Sequence, residues 1–244
     1  MSRPYGLFVR KDGFQGWQGL PAGRREALAR AVQHGEFDVP VFLPSRVVTI
    51  DGWVIAPSEF ELGKLSDSVA GIGATGPRMT VTIEHQGNLR RAYGRRILAE
   101  CDDKGIRFGR YLRAEFQVQL VFADPRKYGD TAVLPGDRLA PPSPSATATV
   151  VDVFSYGNFP AFPVVEIPNA PAGYTITSSA GTFTVSGATA GGTHTVDLRN
   201  GRVRRNGTEM PGVGRGDLWA VPPREPMKHT LSVPGRVRIT DTDV

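Results

Sequence analysis

The chain is poor in the residues that chemistry most often uses. Its 244 residues hold one cysteine, Cys101, so neither an internal disulfide framework nor a cysteine-rich metal site can be built from it. The four histidines, His34, His85, His194 and His229, lie far apart and form no HxH or HExxH arrangement, which removes the usual metal-ligand spacings. There is no GxSxG elbow, no P-loop and no GxGxxG between a strand and a helix. The run Gly212-Val213-Gly214-Arg215-Gly216 lacks a following helix pattern and reads as a loop. No apolar stretch approaches the roughly 20 residues of a membrane span. Leu7-Phe8-Val9, met at once by Arg10-Lys11, is too short for the core of a signal peptide, so the product is expected to stay in a cytoplasm until it is assembled or released.

Charge of one sign is also missing as a local feature. The net charge of +5 and pI near 9.6 would suit a nucleic-acid partner. Yet residues 1–140 carry 20 Lys/Arg against 16 Asp/Glu, and residues 141–244 carry 9 against 8, so neither part is a basic module. Glycine (29) and proline (20) are abundant, as in short strands joined by tight turns, and composition favours an all-β protein long enough for two domains.

The pattern supports that reading. In Glu115–Asp130 (EFQVQLVFADPRKYGD), Phe116, Val118, Leu120 and Phe122 alternate with Gln117, Gln119 and Val121, the period of a strand with one buried face. Asp124-Pro125 ends it, and the first domain is expected to close near there. Upstream, residues 5–10 read as a short strand turned by Asp12-Gly13. Phe37–Leu43 and Arg46–Ile55 read as strands parted by Pro44-Ser45. Met79–Glu84 and Leu89–Leu98 read as a hairpin around Gln86-Gly87-Asn88. Ser58 and Glu61 stand in capping-box spacing before an apolar stripe of Phe60, Leu62, Leu65, Val69 and Ile72, which predicts the clearest helix, ended by Gly71 and Gly73. Arg24–Gln33 has helix-forming composition, but Leu28 and Val32 make too small a stripe to hold a ten-residue helix, and an extended segment is expected.

The sequence Ala132–Ala148 (AVLPGDRLAPPSPSATA) has four prolines and no period, marking a linker or arm. From Thr149 the pattern is short strands: TVVDVF, AFPVVEI, YTITS, TFTVS, HTVDL, RVRR, LWAV, HTLSV and RVRIT. Asn200-Gly201 and Asn206-Gly207 are strong hairpin turns, and the spacing predicts an antiparallel sandwich without saying which kind.

Three segments together carry a family resemblance. The strand ending in ADPRKYG, the passage His34–Ile72 (HGEFDVPVFLPSRVVTIDGWVIAPSEFELGKLSDSVAGI) and Tyr156–Ile167 (YGNFPAFPVVEI) resemble, in order and spacing, siphophage distal tail proteins, the ring-forming adaptors at the tip of a long, non-contractile tail. The resemblance covers nearly the whole chain. It implies a mainly β protein, with a sandwich or barrel-like ring domain bearing one α-helix over residues 1–134 and a galectin-like antiparallel β-sandwich over 135–244. Residues 135–148 would be the proline-rich linker. It further implies an extended passage around Arg24–Gln33, a ring of six copies at the virion tail tip, and assembly in the host cytoplasm. The implied partners are the tail tube, the tape measure protein and a hub or receptor-binding protein, with DNA passing only in transit. No membrane insertion, cofactor or metal is implied, and no catalytic residue.

Arg90-Arg91 and Arg95-Arg96 flank Tyr93 and could meet a phosphate backbone. Their spacing does not line one strand face, so a solvated face on an edge strand is the expected reading. Asp102-Asp103 reads as a turn and Cys101 as an inert thiol. The alternative function is a carbohydrate-binding module, with Trp219 stacking on a sugar face and Arg204, Asn206 or His194 supplying polar contacts.

Overall fold

A computed structural model describes residues 5–20, 22–102, 104–136 and 146–244. The chain divides into two compact units, Met1–Ile83 with Arg91–Arg126, and Glu84–Arg90 with Lys127–Val244. Apart from Glu84–Arg90, the second unit is the continuous stretch Lys127–Val244, which contains the expected second domain, residues 135–244. Most of the proline-rich stretch, residues 137–145, lies outside the described residues.

The elements of the first unit are β1 (Gly6–Gln15), β2 (Arg46–Ala56), α1 (Glu59–Gly71), β3 (Met79–His85), β4 (Asn88–Cys101), β5 (Ile106–Phe108) and β6 (Tyr111–Phe122). β1 pairs with β2, β2 with β6, β6 with β4 and β4 with β3, while β5 folds back on the start of β6. In β2 and β6 the same phase is buried: Val48 faces Leu120 across the ladder and Val54 faces Ala114, because strand side chains alternate faces. Leu62 and Val69 of α1 cover that face, joined by Trp17 and Phe122. Each such side chain contributes about 1.5–3 kcal/mol by leaving water. Two glycines make room for rings on the next strand. A Cβ on Gly52 would sit 2.6 Å from the Phe116 ring, and one on Gly94 would sit 2.7 Å from that of Phe122.

Several expectations hold here. α1 starts after Ser58, whose hydroxyl accepts from the Glu61 amide, and Gly73 follows its end with φ of 61°. Gln86 and Gly87, with φ of 51° and 76°, turn the β3–β4 hairpin. Others are corrected. β1 does not turn at Asp12-Gly13 but runs through it, the register slipping between Val9 and Phe14. Phe37–Leu43 is not a strand: only isolated bridges form at Glu36 and Phe42, since no ladder flanks this segment. Phe60, placed on the apolar stripe of α1, is exposed, with the Lys64 ammonium 4.2 Å from its ring centroid. β4 is not an edge strand, since β3 and β6 pair with it on either side.

The second unit holds β7 (Lys127–Leu134), β8 (Ala148–Val153), β9 (Val164–Ile167), β10 (Tyr174–Ser178), β11 (Gly181–Val185), β12 (His194–Asp197), β13 (Arg202–Arg205), β14 (Thr208–Glu209), β15 (Gly214–Gly216) and β16 (Met227–Asp243). One sheet runs β7-β16-β9-β12-β13-β14, and the other joins β8, β16, β10, β11 and β15. β16 serves both. Residues 227–231 pair with β8 and β10, and residues 236–243 pair with β9 and β7, the strand crossing between sheets at Val233-Pro234-Gly235. Proline has no amide to give a ladder, and glycine there lets Ile167 and Leu231 close over the bend. HTLSV and RVRIT, read as two strands, are therefore one. LWAV forms no strand, only a bridge from Val221 to Ala161. Gly214–Gly216, read as a loop, is a short edge strand on β11.

The YGNF segment owes its composition to β16. The Tyr156 amide donates to Asp241 (2.8 Å), the Asn158 amide to Asp243 (3.0 Å) and the Val244 amide to the Asn158 side chain (2.9 Å). Between them Gly157 lies so close that a Cβ would be 2.0 Å from the Thr242 carbonyl oxygen.

Candidate functional site

Between β1 and β2 the chain leaves the sheet of the first unit as an extended arm. It cannot form a helix stable enough to bury Leu28 and Val32, and both stay in water, 74% and 93% exposed. The arm is a loose two-legged hairpin instead. Arg24 and Phe42 exchange backbone hydrogen bonds of 2.7 and 3.0 Å, the Phe37 amide donates to the Leu28 carbonyl (2.9 Å), and Ala29 bridges Glu36. Arg25 pairs with Glu36 and, at 3.6 Å, with Asp38, tying one leg to the other. Phe37, Val41 and Phe42 are exposed as well. A tip carrying this much unburied apolar surface is the composition of an interaction site.

The base of the arm is as rigid as its tip is open. Trp17 is buried against Phe14 and, edge to face, against Phe122, with ring centroids 6.4 and 6.2 Å away. Arg46, at the head of β2, is 1% exposed. Its Nη1 donates to the carbonyls of Gly16 (2.8 Å), Trp17 (3.0 Å) and Gly19 (2.9 Å), and its Nε donates to that of Pro125 (3.0 Å). Burial makes its charge costly and pulls its pKa below the usual guanidinium value. One guanidinium thus binds the departing arm to the end of β6. The sequence offered only a faint sign of this, an arginine opening an apolar strand directly after Pro44-Ser45.

A second surface lies between α1 and the β5–β6 hairpin, a groove of about 700 Å³. Leu62, Cys101 and Leu112 form its floor. Gly63 and Ser66 keep the helix side low, and nothing stands within 4 Å of where a Gly63 Cβ would be. Glu59 and Asp67 edge the helix side and Lys104 the other.

The residues proposed for a sugar site do not assemble into one. Trp219 is 5% exposed, and its indole N–H donates to His229 Nε2 at 3.0 Å inside the core, so it offers no ring face to a ligand. Burial lowers the pKa of His229, against a smaller raising effect of the Met227 carbonyl. His194 is fully buried beside Tyr174, whose phenol burial raises. Asn206 uses its carbonyl on the Thr193 amide (2.9 Å), and Arg204 sits mid-strand opposite Glu209.

The basic strand is likewise engaged. Arg90 pairs with Asp243, and Arg95 and Arg96 donate to the carbonyls of Gly76 and Ala70, leaving Arg91 and Tyr93 on the exposed face, where Arg78 stacks on Tyr93. Asp102 accepts from the Lys104 amide (2.9 Å) as a turn residue, and Asp103 lies outside the described residues. Among the described residues, no three His, Cys, Asp or Glu side chains converge in a way that could hold a metal.

No family model and no curated protein matches the chain. Among solved structures it superposes on the Dit protein of phage SPP1, described as a paradigm of the hub adsorption apparatus in phages infecting Gram-positive hosts. The TM-score is 0.73 at 15% identity, over 98% of this chain and 94% of that one. Two structures of the phage P2 baseplate in its activated conformation, one with calcium and one with strontium, cover 94% and 97% of this chain and 87% and 89% of theirs. Their TM-scores of 0.46 and 0.49, at 8% and 9% identity, are too low to fix a fold. The SPP1 likeness spans both units and the arm between β1 and β2, and over 98% of its length this chain has the fold of the SPP1 Dit protein.

Proposed function

We propose that the protein is a structural, non-enzymatic component of a phage tail tip, a distal tail protein that closes into a ring of six around the tail channel. Its first domain forms the ring, its second projects outward as a platform, and DNA meets it only in transit. Its neighbours are the tail tube above, a hub or receptor-binding protein below, and the tape measure protein through the bore. The observation that carries this reading is the near end-to-end likeness to a protein of a phage hub, at a TM-score of 0.73. The exposed apolar arm supports it, because ring closure repeats one head-to-tail contact and needs a surface that is unsatisfied in the single chain. Among the described residues no helix is long and apolar enough to cross a membrane.

Light scattering on purified protein tests the reading. Six chains of 26.3 kDa give a particle of about 158 kDa. Immunogold labelling of virions places the protein at the distal end of the tail if the proposal is right. Label on the capsid or along the tail shaft would end it.

A further inference from the structure

We infer that the tip of the β1–β2 arm seats in the α1/β5–β6 groove of a second copy of this chain. This rests on the ring reading and gives its repeated contact a chemistry. Both halves are present in every chain, as a head-to-tail contact requires. The tip offers Leu28 and Val32, among the most exposed apolar side chains of the first unit, and the groove offers an apolar floor of Leu62, Cys101 and Leu112.

The charges match in the same sense. In the arm, Arg25 is taken by Glu36 and Asp38, and Arg24 lies 3.7 Å from Glu26, but Arg30 reaches no acid among the described residues: it lies 3.4 Å from Gln33 and over the Phe37 ring. On the groove, Glu59 and Asp67 reach no base among the described residues. They stand on the same helix face as Gly63 and Ser66, because positions 59, 63, 66 and 67 recur at helical spacing. Gly63 and Ser66 are the smallest side chains on that face and leave depth for an incoming leucine or valine. An Arg30 guanidinium brought to Glu59 or Asp67 gains a carboxylate that the described residues of its own chain do not supply.

Cys101 on the groove floor, the only cysteine of the chain, makes the contact directly testable. Leu28→Cys and Val32→Cys each place one thiol on a tip that packs against little, so the fold is kept, as circular dichroism can verify. A disulfide needs Cα atoms within about 7 Å. If the tip occupies the groove, mild oxidation converts each variant into a non-reducing ladder that rises past the dimer to six chains. Val32→Cys in a Cys101→Ser background then stops at the dimer. A ring mass near 158 kDa with no ladder beyond the dimer from either variant overturns the docking and leaves the ring intact. A shifted monomer band, from a bond between the arm and Cys101 of the same chain, overturns it too. A monomer mass at every concentration, with no ladder, removes the ring reading and this inference together.

Discussion

Removing the Arg46 guanidinium tests whether the arm is held by one buried cation. Nη1 has two hydrogens for three carbonyls, so with Nε the group makes about three full bonds. Hydrogen bonds to a charged group contribute about 1.5–3 kcal/mol each, against a desolvation cost of several kcal/mol for the buried ion. Deleting the side chain removes that cost along with the bonds, but it strands the carbonyls of Gly16, Trp17 and Pro125 at about 1–3 kcal/mol apiece. Arg46→Ala is therefore expected to cost the first unit about 4 kcal/mol, a large share of the roughly 5–15 kcal/mol that holds a domain together. Arg46→Met, which keeps the stem and loses the donors, should cost nearly as much. Arg46→Lys should recover about half, since an ammonium cannot span the carbonyls on both sides. Native-state hydrogen exchange on the amides of β2 and β6 reads this unit separately from the other. An Arg46→Met protein as protected as the wild type would refute the reasoning, because it would show the buried charge to be a net burden.

Gly157→Ala should destabilise the second unit by about 3 kcal/mol or more, since the added methyl overlaps the Thr242 carbonyl and must push the YGNF segment off β16; the melting temperature checks it. Ser58→Ala should cost about 1 kcal/mol by removing the α1 cap, read as faster exchange in the first turn of the helix. His229 gives a pH dependence. Its pKa is lower folded than the ordinary value of about 6.5, so its effect on stability is flat above that pH and stability falls as pH drops below it, the loss being complete once pH passes the folded pKa. The second unit should melt lower at pH 5 than at pH 7.5, with Trp219 fluorescence reporting the change, and His229→Gln should flatten that difference.

Which parts of this were legible in the sequence follows from range. The α1 cap, the Gln86-Gly87 turn, the two Asn-Gly hairpins and the alternation of β6 depend on residues within a few positions of each other, and all stand where the pattern put them. Arg24–Gln33 stays extended despite its helix-forming composition, because an apolar stripe of two residues cannot hold a helix to a core. The candidate sugar residues failed for the opposite reason. Trp219 and His229 are ten positions apart, and only the closed sandwich makes them partners in its interior.

Composition and local spacing by themselves determined that the chain is β-rich, where most of its turns and its helix lie, and that no familiar catalytic motif runs through it, because those properties act over one strand or one turn. Tertiary structure decided that Arg46 is a buried clamp, that HTLSV and RVRIT are one strand shared by two sheets, and that Phe37–Leu43 belongs to an arm. Each of those depends on which distant backbone supplies the hydrogen-bond partner: Pro125 lies 79 residues from Arg46, and no periodicity in a linear chain encodes a meeting at that separation.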